Sequence, residues 1–368
     1  MLTYSIRKQS IFLNFAFGIG AHIYKRSGAA SSSRMKAGVP ASSFVMGNVA
    51  SIQQPLIVAV CGDSGSGKTT LTAGMAQVFG QERVTHICLD DYHILDRATR
   101  LRTGITALCP EANDFALMVE HLRRLARGET IIKPVYDHRT GTFASPVEVH
   151  PADIIIVHGL HPLYTEELRN LAHVRIYLDP ETALLQQWKI MRDSTSRGYT
   201  VEQVRQQMAI RRRDRRLYIQ PQKQFADIII RFLRGSLYYR TNDLAQLDVR
   251  LMEAKHAPKI DLSDVLEISQ NGHRPALRLI ELEYAQKMRD VLEIDGDITH
   301  QKACELEDCI WAHMENVSHL RPVCLGLLGR FYVGNTLCQS DPLALTQLII
   351  LYHVVSKMQE MASGSEKK

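Results

Sequence analysis

The run PLIVAVCGDSGSGKTT, residues 55–70, constrains this chain more than any other stretch. Its apolar residues 56–60 read as a buried strand, G-x-x-x-x-G-K-T follows at 62–69, and a helical pattern covers 69–79. Gly62, Gly65 and Gly67 allow a tight turn whose backbone N–H groups point at an anion, with Asp63, Ser64 and Ser66 between them. Lys68 offers a cation to the β and γ phosphates of a nucleotide, Thr69 offers a hydroxyl to magnesium, and Thr70 opens the helix. A strand, a phosphate loop and a helix in that order place the loop at the carboxyl end of a sheet strand.

The pattern beyond the loop agrees. Residues 84–89, 153–157, 174–178 and 227–232 read as strands, and 115–127, 181–194 and 201–217 as helices. Near-continuous apolar strands alternating with helices imply an α/β fold, a mainly parallel sheet flanked by helices. After residue 233 the character changes. Strands are expected at 248–253, 265–269 and 276–284, and an apolar helix at 343–358. The chain therefore divides into a basic N-terminal extension (1–54), a P-loop kinase core (55–233), a C-terminal α+β extension (234–361) and a frayed tail (362–368).

The formal net charge of +5 is unevenly placed. Residues 1–62 hold six bases and no acid, and removing these six from the 44 Lys and Arg leaves 38 against 39 acidic residues. A chain-wide nucleic-acid surface is excluded on that balance. The apolar run 11–23 is too short to span a bilayer, so no stable membrane insertion is expected. The acid-poor, Ser-rich start fits a transit peptide, a signal peptide or a plain extension, with Met35 and Met46 as alternative initiators. A cytoplasmic location is expected, or a plastid if residues 1–50 act as a transit peptide. Seven cysteines with no C-x-x-C pair form neither a disulfide framework nor a zinc pattern.

Two further clusters carry chemistry. ICLDDYH puts Asp90, Asp91 and His93 at the end of the second strand, where adjacent carboxylates serve a metal or a proton transfer, or else cap a turn. In QQWKIMRDSTSRGY, Lys189, Arg192 and Asp193 share one helical face with Arg197, a clamp for anions or else a solvated face. RRRDRR, 211–216, reads as an arginine-bearing lid or a surface helix.

Taken together, GDSGSGKTT, ICLDDYHILDR, GITALCPEANDF, KPVYDHRTG, GLHPLY, WKIMRD with RGYT, and YIQPQKQFADIII resemble the phosphoribulokinases of the phosphoribulokinase/uridine kinase family. The matching segments run in family order from about residue 55 to 232, and GLHP with YDHRTG separates them from the uridine kinases. The resemblance implies ATP-dependent phosphorylation of ribulose 5-phosphate to ribulose 1,5-bisphosphate in the Calvin cycle, with magnesium and a homodimer or larger homo-oligomer. It implies Asp90 as the base, with Lys68, Lys189, Arg192 and Asp193 completing the catalytic set. It further implies His93, Arg97, Tyr136, His138 and Arg197 at the sugar phosphate, and Thr69 with Asp91 at the metal.

Two departures stand out. The family carries an acidic residue before Gly-Leu-His-Pro, and here His158 stands there. Imidazole is a poorer ligand for a hard cation, which leaves open a weakened, nucleotide-binding paralogue, beside a kinase of another small acceptor such as uridine. Plant-type members place a cysteine in the P-loop, partnered by the one before Leu-Asp-Asp-Tyr. Here Cys88 is present but Ser66 replaces its partner, so that disulfide cannot form.

Overall fold

A computed structural model describes residues 54–266, 275–324 and 326–365. The first half contains β1 (Leu56–Gly62), α1 (Lys68–Phe79), β2 (Val84–Cys88), α2 (Arg97–Thr103), α3 (Phe115–Ala126), β3 (Ile131–Asp137), β4 (Thr142–Val149), β5 (Ile154–Gly159) and α4 (Glu166–Leu171). There follow β6 (Val174–Leu178), α5 (Thr182–Ser196), α6 (Val201–Ile210), the single turn α7 (Arg212–Asp214), β7 (Ile228–Leu233), α8 (Ser236–Thr241) and β8 (Asp248–Ala254). The chain closes with β9 (Leu277–Tyr284), β10 (Lys287–Ile294), α9 (His300–Ala312), α10 (Arg321–Cys324), β11 (Arg330–Val333), β12 (Thr336–Gln339) and α11 (Asp341–Ser365).

Eight strands form one sheet in the order β2-β5-β1-β6-β7-β8-β10-β9. The first five run parallel, and β8, β10 and β9 are added antiparallel. Every residue of β1 is buried, as a central parallel strand covered on both faces must be. Its side chains alternate between two cores. Leu56, Val58 and Val60 join Leu71 and Met75 of α1, Ile310 of α9 and Leu348 of α11. Ile57 turns to the other face, where Met118, Leu122 and Leu125 of α3 meet Leu168 of α4. Each such buried aliphatic contributes about 1.5–3 kcal/mol. The chain leaves β1 for its neighbours on opposite sides, β5 and β6, so the crevice at its carboxyl end is the place for a ligand.

The α/β class and its mainly parallel sheet are as expected, and the strand at 174–178 has the expected bounds. Other elements differ. β3 and β4 form an antiparallel hairpin where no strands were expected. Pro134 interrupts the ladder, with a register shift between Lys133 and Val135, and β4 lies on the surface without an apolar alternation. β10 was hidden by its charges, because Arg289 and Glu293 are buried and Glu293 pairs with Arg250 at 2.6 Å. α9 was also missed, although Ala303, Leu306 and Ile310 mark a buried face.

The helix expected at 201–217 ends at Ile210, and a widened turn over Arg215–Ile219 leads toward Pro221, which cannot continue a helix. Val265 sits in a turn rather than a strand, and residues 267–269 lie outside the described residues, as do residues 1–53 with their targeting readings. The last helix runs on through Ser365, beyond the expected 343–358 and into the residues read as a tail. No helix among the described residues is long and apolar enough to cross a membrane.

Because β8 belongs to the same sheet and core as β1, Leu251→Ala should cost about 2–5 kcal/mol and lower the urea midpoint of the whole sheet in one transition. Separate transitions before and after residue 233 would contradict this.

Candidate active site

The phosphate loop closes β1. Gly65 and Gly67 have φ of +87° and +94°, which L side chains rarely adopt. A Cβ on Gly65 would also stand 3.3 Å from Lys189, so α5 packs directly on the loop. Lys68 folds back to donate to the carbonyls of Gly62 (2.9 Å) and Asp63 (2.8 Å). The Asp63 carboxylate accepts from Ser64 N at 2.8 Å and pairs with Arg215, so the segment after α6 lies across the loop. Ser66 is fully buried beneath it, and its hydroxyl has no partner among the described residues. Thr69 and Thr70 line the open side.

Helix α5 supplies the cations. Asp193, 1% exposed, accepts from Lys189 Nζ at 2.9 Å and from Arg192 Nε at 2.9 Å, and pairs with Arg197 at 3.5 Å. Burial opposes the Asp193 charge, but Arg192, Lys189 and Arg197 outweigh it and hold the carboxyl down to about 2. Lys189 is pulled the other way. Burial and then Arg192 bring its ammonium down to about 8 despite Asp193. Arg192 also donates to Ser64 Oγ at 2.9 Å, joining the cluster to the loop.

Asp90 closes the turn after β2. Burial works against its charge, yet the His138 hydrogen bond, with the charges of His138, His93 and Lys68, holds it well below the usual carboxylate range. His138 Nε2 stands 3.5 Å from Asp90 Oδ2. Asp91, expected at the metal, instead has both oxygens engaged. Lys133 pairs with Oδ2, and Tyr136 N donates to Oδ1 at 2.9 Å, so this carboxylate ties the β3–β4 hairpin to the site. His93 is buried against Asn113 (2.8 Å) and meets the Tyr136 ring edge-on at 5.0 Å. Arg97 donates to the His138 carbonyl and lies over the Tyr199 ring.

Two cavities meet here. The larger, about 800 Å³, runs along the phosphate loop, and a smaller one of about 50 Å³ lies among Arg97, Arg100, Arg197 and Arg211. Asp90 and His138 line both. The structure thus brings together every residue expected at the site, with Asp91 in a supporting position.

Sequence reasoning missed Lys133, Arg100, Tyr199 and Trp188. Arg100 lay one helical turn beyond Arg97 and was legible; it donates to the Tyr136 hydroxyl at 2.6 Å. The arginine run divides by face: Arg211 and Arg215 turn inward at i, i+4, while Arg212, Arg213 and Arg216 are exposed. Arg211 makes no side-chain ion pair among the described residues, and burial and then Arg100 lower its pKa. Two neighbouring guanidiniums with so little compensation form a seat for an anion.

His158 ends β5 between Val60 of β1 and Cys88 of β2. Burial and then Lys68 bring it down to about 4, so the imidazole is neutral near pH 7. Cys61 is pushed up to about 12 by burial, and all seven cysteines are free.

A phosphate loop under a cationic helix, with a carboxylate where two cavities meet, has the arrangement of a P-loop nucleotide site. Residues 57–237 match the family model described as phosphoribulokinase / uridine kinase family. The chain is 43% identical over 202 residues to the phosphoribulokinase of Synechocystis sp., covering 55% of this chain and 60% of that one. It is 35% identical over 297 residues to the chloroplastic phosphoribulokinase of Chlamydomonas reinhardtii, covering 72% of this chain and 77% of that one. The phosphoribulokinase structure from Rhodobacter spheroides superposes with a TM-score of 0.50 at 19% identity, over 74% of this chain and 98% of that one, and so shares the fold. The chain belongs to the phosphoribulokinase/uridine kinase family. It spans 60% of the Synechocystis relative and 54% of the Triticum aestivum one.

Lys189 loses its proton as pH rises through about 8, which leaves the Asp193 charge less compensated beside the loop. Affinity for ADP should therefore fall above pH 8, by calorimetry, and Lys189→Arg should flatten that fall. A wild-type affinity unchanged to pH 9.5 would contradict the assignment.

Proposed function

We propose that the chain transfers the γ-phosphoryl group of ATP to C1 of D-ribulose 5-phosphate, giving ribulose 1,5-bisphosphate and ADP, a kinase step of the Calvin cycle. The observation that carries this reading is the position of Asp90, on the wall shared by the phosphate-loop cleft and the arginine cavity. An acceptor whose own phosphate sits among Arg97, Arg100, Arg197 and Arg211 would present a hydroxyl to Asp90 and, beyond it, to the γ-phosphate.

In this reading the loop amides and Lys68 hold the β and γ phosphates, and Lys189 and Arg192 face the transferring group. A bond forms from the C1 oxygen to phosphorus as the bond to the β–γ bridging oxygen breaks, and the proton of the C1 hydroxyl passes to Asp90. So acidic a carboxyl is a weak base. It suffices in a loose transition state, where placement and charge neutralisation do most of the work. His138 orients the carboxylate, while His93 and Tyr136 shape the sugar pocket.

Among the oxygen donors on the cleft, the Thr69 hydroxyl and the Asp90 carboxylate suit a hard cation that keeps several waters. Magnesium held there would neutralise phosphate charge. Neutral His158 adds nothing to such a set, which favours a second reading, a paralogue that binds nucleotide but turns over weakly. We assign the edge of β9, which among the described residues pairs only with β10 and leaves Leu279 53% exposed, to a second copy in a homodimer. The same reading puts the enzyme in the cytoplasm, or in a plastid where residues 1–50 act as a transit peptide.

An ADP-release assay with ribulose 5-phosphate, magnesium and ATP should show turnover, and Asp90→Asn should reduce kcat by about 10²–10⁴-fold. Turnover of uridine instead, or an Asp90→Asn rate equal to wild type, would sink the reading. His158→Glu should lower the magnesium concentration needed for half-maximal rate. A large gain in kcat in that variant, over a barely active parent, would favour the weakened paralogue.

A further inference from the structure

The larger cavity does not end at the phosphates. From Gly67 it continues past Trp188 and Phe232 to Phe331 and Tyr332 of the β11–β12 hairpin and Leu343 of α11. Phe331, Tyr332 and Leu343 of this far wall lie beyond residue 237, outside the stretch that matches the family model, while Trp188 and Phe232 lie within it. The wall is aromatic and only partly covered: Trp188 and Phe331 are half-buried, and Tyr332 is 43% exposed. Trp188 lies 3.8 Å from where a Cβ on Gly67 would stand, and its ring meets Phe232 edge-on with centroids 5.9 Å apart.

A side chain of α11 ties the start of the hairpin to the helix that follows the phosphate loop. Gln347 of α11, 1% exposed, donates to the Thr70 carbonyl at 3.1 Å and accepts from Gly329 N at 2.7 Å. Thr70 sits in the first turn of α1 and Gly329 directly precedes β11. Gly74 leaves room for this bridge, since a Cβ there would stand 2.4 Å from Gln347. At the other end of the hairpin Ser340 Oγ donates to Ala245 O at 2.8 Å and accepts from Leu343 N, so it offers little to a ligand.

We propose that the β11–β12 hairpin is the seat of the nucleotide's purine base, held by stacking and apolar contact among Phe331, Tyr332 and Trp188. The inference rests on reading the cleft as a nucleotide site and goes beyond it by naming what grips the base. An apolar, aromatic wall continuous with a phosphate loop fits a flat ring attached to phosphates, because stacking needs only a π face. Among the described residues no charged side chain lines this end of the cavity, so little distinguishes adenine from guanine there. The bridge through Gln347 makes the base seat and the phosphate seat one rigid unit.

The test is calorimetric titration of the full chain with ADP, GDP and pyrophosphate, without any acceptor. Tyr332→Ala and Phe331→Ala should each weaken ADP about tenfold and leave pyrophosphate within about twofold, and GDP should bind the parent within about fivefold of ADP. Tyr332 is exposed enough that its loss does not hollow the core, and thermal melts should confirm folding in both variants. Unchanged ADP affinity in both variants, an equal loss for pyrophosphate, or GDP a hundredfold weaker than ADP would overturn the proposal. Absence of pyrophosphate and ADP binding in the parent would overturn the nucleotide-site reading itself. Failure of ribulose 5-phosphate turnover with ADP still bound would count against the acceptor alone.

Discussion

The site depends on a buried carboxylate. Asp193 takes Lys189, Arg192 and Arg197 onto its two oxygens, and without it three cations would face one another beside the phosphate loop. Removing one partner of such a buried group costs about 3–5 kcal/mol, because the remaining charges lose their compensation. With Asp193 in place the cluster still has cationic surplus. That surplus is what an anionic ligand meets, and burial, followed by Arg192, keeps Lys189 close to losing its proton.

A second carboxylate organises the other side. Asp91 draws Lys133 and the backbone of Tyr136 to the end of β2, so an irregular surface hairpin becomes a wall of the site. Asp90, its neighbour in sequence, faces both cavities, with His138 as its ion-pair partner among the described residues. Adjacent acids in one turn thus do opposite work. One is committed to structure, the other to the ligand side, and chain direction through the turn separates them.

The departure at His158 changes the charge of the centre. The His158 imidazole stays neutral, since protonating it would add a buried cation near Lys68. The cleft therefore lacks one negative charge that the family pattern supplies. Thr69, Thr70 and Asp90 are among the oxygen-bearing side chains that line it, and an imidazole adds no oxygen to them.

Much of this was local and therefore readable. The buried strand, the glycines and Lys68 specify a phosphate loop through short-range geometry, and the i, i+3, i+4 spacing puts Lys189, Arg192 and Asp193 on one face. The apolar runs specify parallel strands because both sheet faces must be covered. What the sequence could not show depends on contacts between distant segments. The β3–β4 hairpin lacks an apolar alternation and is fastened by Asp91, some 40 residues earlier. β10 buries Glu293, whose charge Arg250 and Arg278 of the neighbouring strands compensate. Which arginines of 211–216 turn inward was settled by a widened turn that lays Arg215 on Asp63. The far wall of the cleft came from a hairpin more than 260 residues after the loop, fastened through Gln347. Sequence alone determined the phosphate loop, the sheet class and the cationic helix, because each is set by neighbours along the chain. Tertiary structure decided which acid faces the ligand and what closes the cavity, because both follow from which distant groups satisfy one another's charges and hydrogen bonds.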